Sequence, residues 1–291
     1  MHVNSLNVID SHQHFWQLSR GDYAWLTPEL SKLYRDFLPS DFLQEVKDIN
    51  VSQTILVQAS NTDAETDFML QLAADNDFIG GVVGWIDFEG EIETVCQRLQ
   101  TLAANPKFKG VRPMLQDIDD PNWILTPRFD AIFKQLISLN LSFDALINSQ
   151  HIPALETIAK RYPNLNIVID HCAKPNIADR QFDYWQQGIA KFIKLANVSV
   201  KVSGLTTEAS SQQRSPQDYQ DYLLYMLQNF GSQRLMWGSD WPVVNLNSSY
   251  HKWLEICENI TVDWSAQDFN NLFHYSAAKF YKLDNLFSKD K

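Results

Sequence analysis

The sequence predicts an α/β fold, a single (β/α)8 TIM barrel over residues 1–291. Short apolar runs alternate with amphipathic segments along the chain, and eight such runs can be counted. Strands alternating with helices predict βαβ units and a parallel sheet, and eight units are the number that closes a barrel. No linker, internal repeat or low-complexity tract divides the chain. The sequence therefore favours one domain.

The predicted strands are spaced so that one helix fits between each pair. They cover residues 6–12, 53–60, 80–87, 109–115, 141–147, 166–172, 198–204 and 234–240. A final helical run follows the eighth strand. The rival fold is a doubly wound open sheet, which usually has fewer strands and often a glycine-rich nucleotide loop. The sequence contains neither G-x-G-x-x-G nor G-x-x-x-x-G-K-[ST], so the barrel is preferred.

The longest irregular stretch covers residues 17–39 and follows the first predicted strand. Loops of this length are often functional. In a barrel, the loop after a strand lies at the C-terminal end, where active sites are built. We therefore expect this loop to lie beside the site, where it could cover it.

Composition narrows the class of partner. The chain has 24 Lys and Arg against 35 Asp and Glu, a net charge of −11, which disfavours nucleic acid and anionic membranes. Three cysteines without a C-x-x-C pair suit a reducing compartment. There is no signal peptide pattern and no apolar stretch long enough to span a membrane. We expect a cytoplasmic protein with a small-molecule partner, and a homo-oligomer is left open.

Strong polar residues lie at the ends of seven of the eight predicted strands. A buried strand should end in apolar residues unless its end lines a site, because unpaired buried charge is costly. The C-terminal strand ends of a barrel are where its active site forms. The residues concerned are His12 and His14, Gln58, Arg112, Asp144, His171, Lys201 with Ser203, and Asp240.

His12 and His14 point the same way if their segment is a strand. Adjacent imidazoles repel when charged, so a bound metal, or an anionic substrate with a carboxylate, would explain the pair. With His171 and Asp240 they form a donor set that suits one divalent metal such as zinc. The same set equally suits proton transfer around Asp240. Both interpretations stay open.

The remaining polar strand ends are predicted to bind substrate. Arg112 has the planar fork that grips a carboxylate, an oxyanion or sugar hydroxyls, and Lys201, Gln58 and Asp144 are assigned with it. A structural ion pair is the alternative for the charged residues.

Three further residues near strand ends are assigned from their type and spacing. Trp16 and Trp241 offer flat apolar surfaces on which a sugar ring could stack, with ordinary packing as the alternative. Asp170 precedes His171, so strand alternation predicts that it points away from the barrel interior in a structural role. The absence of G-x-S-x-G disfavours a serine nucleophile.

Taken together, the motifs resemble the amidohydrolase-related, TIM-barrel metal-dependent hydrolases. The matching stretches are DSHQHFW, VQAS, GVVGWIDF, KGVRPML, VIDHCAKP, VKVSGL and LMWGSDWPV. They run in order from about Val8 to Val243, nearly the whole chain. The branch that they resemble contains L-fuconolactonase, L-rhamnono-lactonase and 2-pyrone-4,6-dicarboxylate lactonase. HFW and KVSGL are closest to the sugar-lactonase side.

The resemblance implies an amidohydrolase-like barrel that opens a sugar-acid lactone such as L-fuconolactone. It assigns Asp240 as the base that activates water. His12, His14 and His171 would polarise the carbonyl or protonate the leaving hydroxyl, and Arg112 would bind substrate oxygens. The wider superfamily often carries a bridging Lys or Glu on strand four or five, and this chain has Arg112 and Asp144 there. The resemblance therefore implies either no required metal or a single metal ion, with zinc preferred, rather than a centre of two metal ions.

Three alternatives remain. A lactonase for a carboxylated product of aromatic degradation would need several cationic groups, and only Arg112, Lys174 and Lys201 lie near strand ends. A decarboxylase on the same barrel would depend on a bound metal. A catalytically inactive protein that binds a sugar acid would not need the retained histidines and Asp240. A neutral sugar lactone is preferred.

Overall fold

The computed structural model describes residues 7–283, and its eight strands form one parallel sheet in the order β1 to β8. All eight predicted strands are confirmed. The single-domain prediction includes residues 1–6 and 284–291, which lie outside the described residues. The strands are β1 (Val8–Gln13), β2 (Val51–Val57), β3 (Ile79–Gly84), β4 (Phe108–Val111), β5 (Ser142–Ala145), β6 (Asn166–Ile169), β7 (Val198–Val202) and β8 (Leu235–Trp237).

Helices follow the strands and cover the outside of the barrel. Several begin where a Ser or Thr side chain accepts a backbone N–H of the first turn, as Thr62 does from Glu65 and Ser249 from Lys252. The α-helices are α1 (Pro39–Glu45), α2 (Asp63–Asp75), α3 (Ile92–Ala103), α4 (Asp130–Ser138), α5 (Ile152–Arg161), α6 (Phe182–Ile189), α7 (Pro216–Phe230), α8 (Tyr250–Ile260), α9 (Ala266–Asn270) and α10 (Ser276–Phe280). None of the helices between residues 7 and 283 could span a membrane.

The barrel closes where the end of β1 meets the segment after β8. The backbone N–H of Asp240 donates to the carbonyl of His12 at 2.8 Å, and that of His14 donates to the carbonyl of Trp241 at 2.8 Å. These two bonds bring the predicted histidine pair beside Asp240, although the two segments are far apart in the sequence.

The opposite end of the barrel is sealed by the segment that includes α10. Side chains of the strands fill the interior together with Ala277, Ala278, Tyr281 and Leu283. Phe280, Tyr281 and Lys282 share a surface cleft with the residues that lead into β4, β5 and β6. The C-terminal segment therefore enters the barrel from its N-terminal end, below the side chains that form the candidate site.

The loop of residues 17–39 is fastened at its base. The backbone N–H of Trp16 donates to the carbonyl of Phe37, and that of Phe37 donates back to Trp16, both at 3.0 Å. Farther along, Lys32 Nζ donates to the carbonyl of Leu246, in the loop after β8, at 3.0 Å. Trp25 and Leu30 of this loop line the cavity at the C-terminal end of the barrel. The loop thus forms one wall of that cavity, which agrees with the position predicted for it.

Candidate active site

A cavity of about 290 Å³ lies at the C-terminal ends of the strands. Four of the predicted site residues line it: His14, Arg112, His171 and Asp240. Its walls are largely apolar, from Trp25, Leu30, Met114, Leu146, Val243 and Leu246. Its polar side chains include Gln116, Asp117, Lys174, Thr207 and Glu208. Concave, mostly apolar sites with a few convergent polar groups are typical of small-molecule binding.

His12, His14, His171 and Asp240 form one compact cluster at this cavity. The Nε2 atoms of His12 and His14 are 3.2 Å apart. Asp240 Oδ1 lies 3.3 Å from His14 Nε2 and 3.7 Å from His12 Nε2. The rings of His12 and His171 have centroids 4.5 Å apart. The structure thus brings together the four residues predicted as catalytic or metal-binding, and all four are buried.

The hydrogen bond made by His14 Nδ1 determines whether His14 Nε2 is a donor or an acceptor. His14 Nδ1 lies 2.8 Å from the carbonyl oxygen of Val57, to which it can only donate. In the neutral ring, Nε2 is then an acceptor, and it faces the carboxylate of Asp240. Two lone-pair-bearing atoms at 3.3 Å need a proton or a cation between them. The structure therefore supports both of the interpretations left open by the sequence.

His171 and Asp240 both have left-handed backbones, with φ of 52° and 58°. His and Asp tolerate this region better than most residues other than glycine, and such strain concentrates at functional sites. β6 ends at Ile169, and the turn that follows has positive φ from His171 to Lys174. This turn brings the His171 ring to the cavity.

The prediction that Asp170 points away from the barrel interior is wrong. Val168 belongs to the interior cluster, so strand alternation puts Asp170 inside as well. His171 is the residue that departs from alternation, through its left-handed backbone. Asp170 is fully buried, with Oδ1 3.4 Å from His12 Nδ1 and Oδ2 3.4 Å from Arg112 Nη1.

Two glycines allow the histidine rings to sit close to neighbouring backbone. A Cβ added at Gly204 would lie 2.5 Å from His171 Nδ1, and one at Gly238 would lie 2.8 Å from the Cβ of His12. Real Cβ contacts are not this short, so any side chain there would displace the ring. Both glycines fall within the motifs VKVSGL and LMWGSDWPV, but nothing in these motifs indicates that they contact the histidines.

The surroundings favour the neutral forms of His12 and His171 and the ionised form of Asp240. Burial and the positive charge of Lys201 lower the pKa of His12 well below its ordinary value. Burial lowers the pKa of His171 to about 4. Burial alone would raise the pKa of Asp240, but His171, His14 and His12 hold it below its usual range. Neutral imidazoles with an ionised carboxylate are the protonation states that a metal site or a general base requires.

The cluster also fits a divalent metal of the zinc type. One ligand atom each from His12, His171 and Asp240 lies within 4.8 Å of the others. Two ligands of a tetrahedral zinc ion are about 3.3 Å apart. The distances of 3.2 Å between His12 and His14 and of 3.3 Å between His14 and Asp240 are close to that value. The donor set is thus suited to one metal ion.

Lys201 and Asp144 lie below the cavity rather than in its lining. Both are fully buried, with Lys201 Nζ 2.6 Å from Asp144 Oδ2 and 3.0 Å from Asp170 Oδ1. The prediction that they contact substrate therefore does not agree with their position. Sequence spacing placed them at strand ends but could not give their depth in the barrel.

Gln58 holds Arg112 in place and does not line the cavity. The Gln58 side-chain amide donates to the carbonyl of Arg112 at 2.8 Å, and Arg112 Nη2 donates to the carbonyl of Gln58. Asp170 holds the other terminal nitrogen. Arg112 Nε is buried without a hydrogen-bond partner in the described part of the chain. Arg112 therefore lines the cavity in a fixed orientation, with its Nε buried.

The two predicted stacking residues are packed into an aromatic cluster. Trp16 and Trp241 are buried, and both rings contact Phe37, with centroids 5.3 Å and 5.2 Å away. Neither lines the 290 Å³ cavity. The prediction that they offer surfaces to a sugar ring does not agree with this packing. The indole in the cavity wall is that of Trp25, whose Nε1 donates to the carbonyl of Ala59 at 2.7 Å.

Comparison with known proteins gives consistent results. The amidohydrolase family profile matches residues 9–283. L-fucono-1,5-lactonase of Burkholderia ambifaria is 38% identical over 280 residues, which cover 95% of this chain and 96% of that protein. L-fucono-1,5-lactonase of Burkholderia multivorans is 32% identical over 289 residues, covering 94% and 96%.

A solved structure extends the likeness to the fold. The crystal structure of an amidohydrolase from Burkholderia multivorans with bound zinc is 31% identical and has a TM-score of 0.87. The match covers 95% of this chain and 99% of that chain. The eight-stranded barrel, the profile match over nearly the whole chain and these relatives agree with the resemblance seen in the sequence. The chain belongs to the amidohydrolase family of hydrolytic enzymes.

Proposed function

We propose that the protein hydrolyses the lactone of a sugar acid, with L-fuconolactone as the first candidate. The observation that carries the proposal is the Asp240 carboxylate, which lines the cavity together with His14 and His171. This arrangement supplies a base for water next to groups that can address a carbonyl. The substrate class comes from two relatives, both L-fucono-1,5-lactonases. This chain matches each of them along nearly its whole length.

In the proposed reaction, Asp240 takes a proton from a water molecule while the water oxygen attacks the lactone carbonyl carbon. The carbonyl oxygen becomes an oxyanion, which Arg112 in the cavity lining would stabilise. Collapse of the tetrahedral intermediate breaks the bond between the carbonyl carbon and the ring oxygen. Asp240 returns its proton to that oxygen, which leaves as a hydroxyl, and the product is the open hydroxy acid.

We also propose that His12, His14, His171 and Asp240 are the residues that would hold one divalent metal, with zinc preferred. A zinc ion bound there would supply Lewis-acid polarisation of the carbonyl oxygen. Arg112 and Asp144 occupy the strand positions where a second metal would find a bridging ligand. Asp144 is already engaged by Lys201 at 2.6 Å. One metal is therefore proposed rather than two.

The charges of the cavity favour a neutral polyhydroxy lactone over a dicarboxylate. Both cations that line it are paired, Lys174 with Glu208 at 3.0 Å and Arg112 with Asp170 at 3.4 Å. Asp117 adds a further acceptor. Mixed donors and acceptors suit hydroxyl groups, whereas two carboxylates would need cations that are not already paired.

The test is a screen for acid release, because lactone hydrolysis produces a carboxylic acid. The purified protein is incubated with L-fuconolactone, other aldonolactones and 2-pyrone-4,6-dicarboxylate, each with a pH indicator, before and after chelator treatment. We expect the highest rate with L-fuconolactone. Release of carbon dioxide from a carboxylated substrate would favour a decarboxylase. Binding of a sugar acid without turnover of any lactone would overturn the hydrolase proposal.

A further inference from the structure

A continuous set of buried polar contacts joins the C-terminal segment to His12. Tyr281 Oη, just after α10, donates to Asp144 Oδ2 at 2.6 Å. Lys201 Nζ lies 2.6 Å from the same oxygen and 3.2 Å from His12 Nδ1. The contacts run from the sealed N-terminal end of the barrel to the candidate active site. Because the four side chains are at most 1% exposed, water does not compete for them.

Both carboxylate oxygens of Asp144 accept hydrogen bonds, which fixes this side chain beside Lys201. Its Oδ1 accepts from Ser142 Oγ at 2.8 Å, and its Oδ2 accepts from both Lys201 and Tyr281. A buried ion pair persists only when its remaining hydrogen-bonding capacity is satisfied. The Tyr281 hydroxyl thus completes the environment of the carboxylate that fixes the Lys201 side chain.

Lys201 in turn determines how the His12 ring is held. An ammonium group can only donate, so in the metal-free protein its contact with His12 Nδ1 makes that atom an acceptor and places the ring proton on Nε2. Nε2 then faces His14 Nε2, which is an acceptor because His14 Nδ1 donates to Val57. Asp170 Oδ1, the other neighbour of His12 Nδ1 at 3.4 Å, is itself paired with Lys201. Along this row, Lys201 donates to His12 and His12 donates to His14.

We infer that Lys201 is a positioning residue for His12, and that Tyr281 anchors Lys201 through Asp144 from the opposite end of the barrel. Neither residue lines the cavity. The inference rests on the proposed function only where catalytic rates are measured. The orientation and tautomer of the His12 ring can be followed without any substrate.

The experiment compares Tyr281→Phe with Tyr219→Phe. Tyr219 is an equally buried tyrosine whose hydroxyl donates to the carbonyl of Gln213 at 2.6 Å, remote from this row of contacts. Each variant loses one buried hydroxyl and keeps its ring. We expect Tyr281→Phe to lower kcat for L-fuconolactone about 10-fold with KM unchanged. Mutating a residue that supports the side chains of a site typically lowers activity by at least about this factor. Tyr219→Phe should leave both constants unchanged.

The second measurement is the side-chain ¹⁵N spectrum of the histidines in chelator-treated protein, with the His12 signals assigned from His12→Gln. We expect the His12 shifts to move in Tyr281→Phe and to stay in place in Tyr219→Phe. The paired variant Lys201→Met with Asp144→Asn removes one charge of each sign, and it should move them further. This paired variant provides the same test of the His12 shifts if Tyr281→Phe does not fold.

Unchanged His12 shifts in the folded Tyr281→Phe protein and in the paired variant would overturn the inference. The same holds for a kcat equal to that of Tyr219→Phe. If the wild-type protein hydrolyses no lactone, the proposed function fails, and the ¹⁵N spectra still decide the role of Lys201 and Tyr281.

Discussion

The His171 imidazole packs directly on the backbone of Gly204, at a distance that excludes any side chain there. A Cβ on Gly204 would lie 2.5 Å from His171 Nδ1. On its other side, this ring faces His12, with centroids 4.5 Å apart. The His171 ring therefore occupies space that is available only because Gly204 has no side chain.

Gly204→Ala should inactivate the protein more than it destabilises it. Gly204 and Gly231 both have positive φ, 64° and 74°, so alanine is strained at either position. A Cβ at Gly231, however, meets nothing within 4 Å. We expect both variants to lose free energy of unfolding, but a loss of kcat of about 100-fold or more only in Gly204→Ala, because a small misplacement of a catalytic group has this effect. Equal activities in the two variants would contradict the prediction.

Asp240→Asn should abolish turnover and preserve the fold. Asparagine has nearly the same shape but cannot accept a proton from water, and general-base catalysis contributes about 10²–10⁴-fold to rates. We expect kcat to fall by that factor, with a circular dichroism spectrum like that of the wild type. A lactonase rate close to the wild-type value would show that Asp240 is not the base.

Arg112→Lys should lower kcat/KM by about 100-fold, since loss of one oxyanion donor has this magnitude. Lysine keeps the positive charge but lacks the planar fork that Gln58 and Asp170 hold. Arg98→Lys is the matched control, because Arg98 pairs with Asp63 and Asp67 away from the cavity. A similar kcat/KM in both variants would remove Arg112 from the mechanism.

Zinc titration of chelator-treated protein should give one ion per chain. We expect His12→Gln, His171→Gln and Asp240→Asn each to weaken binding by at least about 10-fold, measured by calorimetry, because each removes one ligand of a small set. His251→Gln is the control, since this half-exposed residue of α8 pairs with Glu45 at 3.5 Å. Unchanged zinc affinity in the three site variants would argue against the proposed ligands.

The free energy of unfolding should depend on the protonation of His171. In the folded protein its pKa is lowered to about 4 by burial, below the ordinary value of 6.5. Between these values, the unfolded chain binds a proton that the folded chain does not. The stabilisation is therefore complete above pH 6.5 and is lost as the pH falls towards 4.

Urea titrations of chelator-treated wild type and His171→Gln at several pH values test this expectation. The wild type should lose more free energy of unfolding than the variant between pH 6.5 and 4.5. Parallel pH profiles for the two proteins would contradict the lowered pKa.

The sequence was sufficient for the strands and for four of the residues that line the cavity, because both follow from local patterns. Apolar runs mark strands, and polar residues just after them meet at one end of a parallel barrel, as His14, Arg112 and Asp240 do. The depth of Lys201 and the direction of Asp170 depend on three-dimensional features that these patterns do not record. One is the left-handed turn at His171, and the other is the entry of Tyr281 from the far end of the barrel.

Trp25 was missed for a related reason. It lies within a long irregular loop, where no periodicity indicates which side chain faces inward. Trp16 and Trp241 lie next to strand ends, so the sequence places them near the site. Their side chains are buried, however, and do not line the cavity.

The paired backbone hydrogen bonds between Trp16 and Phe37 close residues 17–36 into a loop whose two ends meet. A loop closed at its base can change length or composition without pulling on the strand that precedes it, because the entropic cost of closing a longer loop grows slowly. Descendants of this chain could thus exchange Trp25 and Leu30, and with them the shape of the cavity wall, while His12 and His14 keep their places. The bonds at the base of the loop separate the part of the molecule free to diverge in substrate choice from the part that performs the reaction.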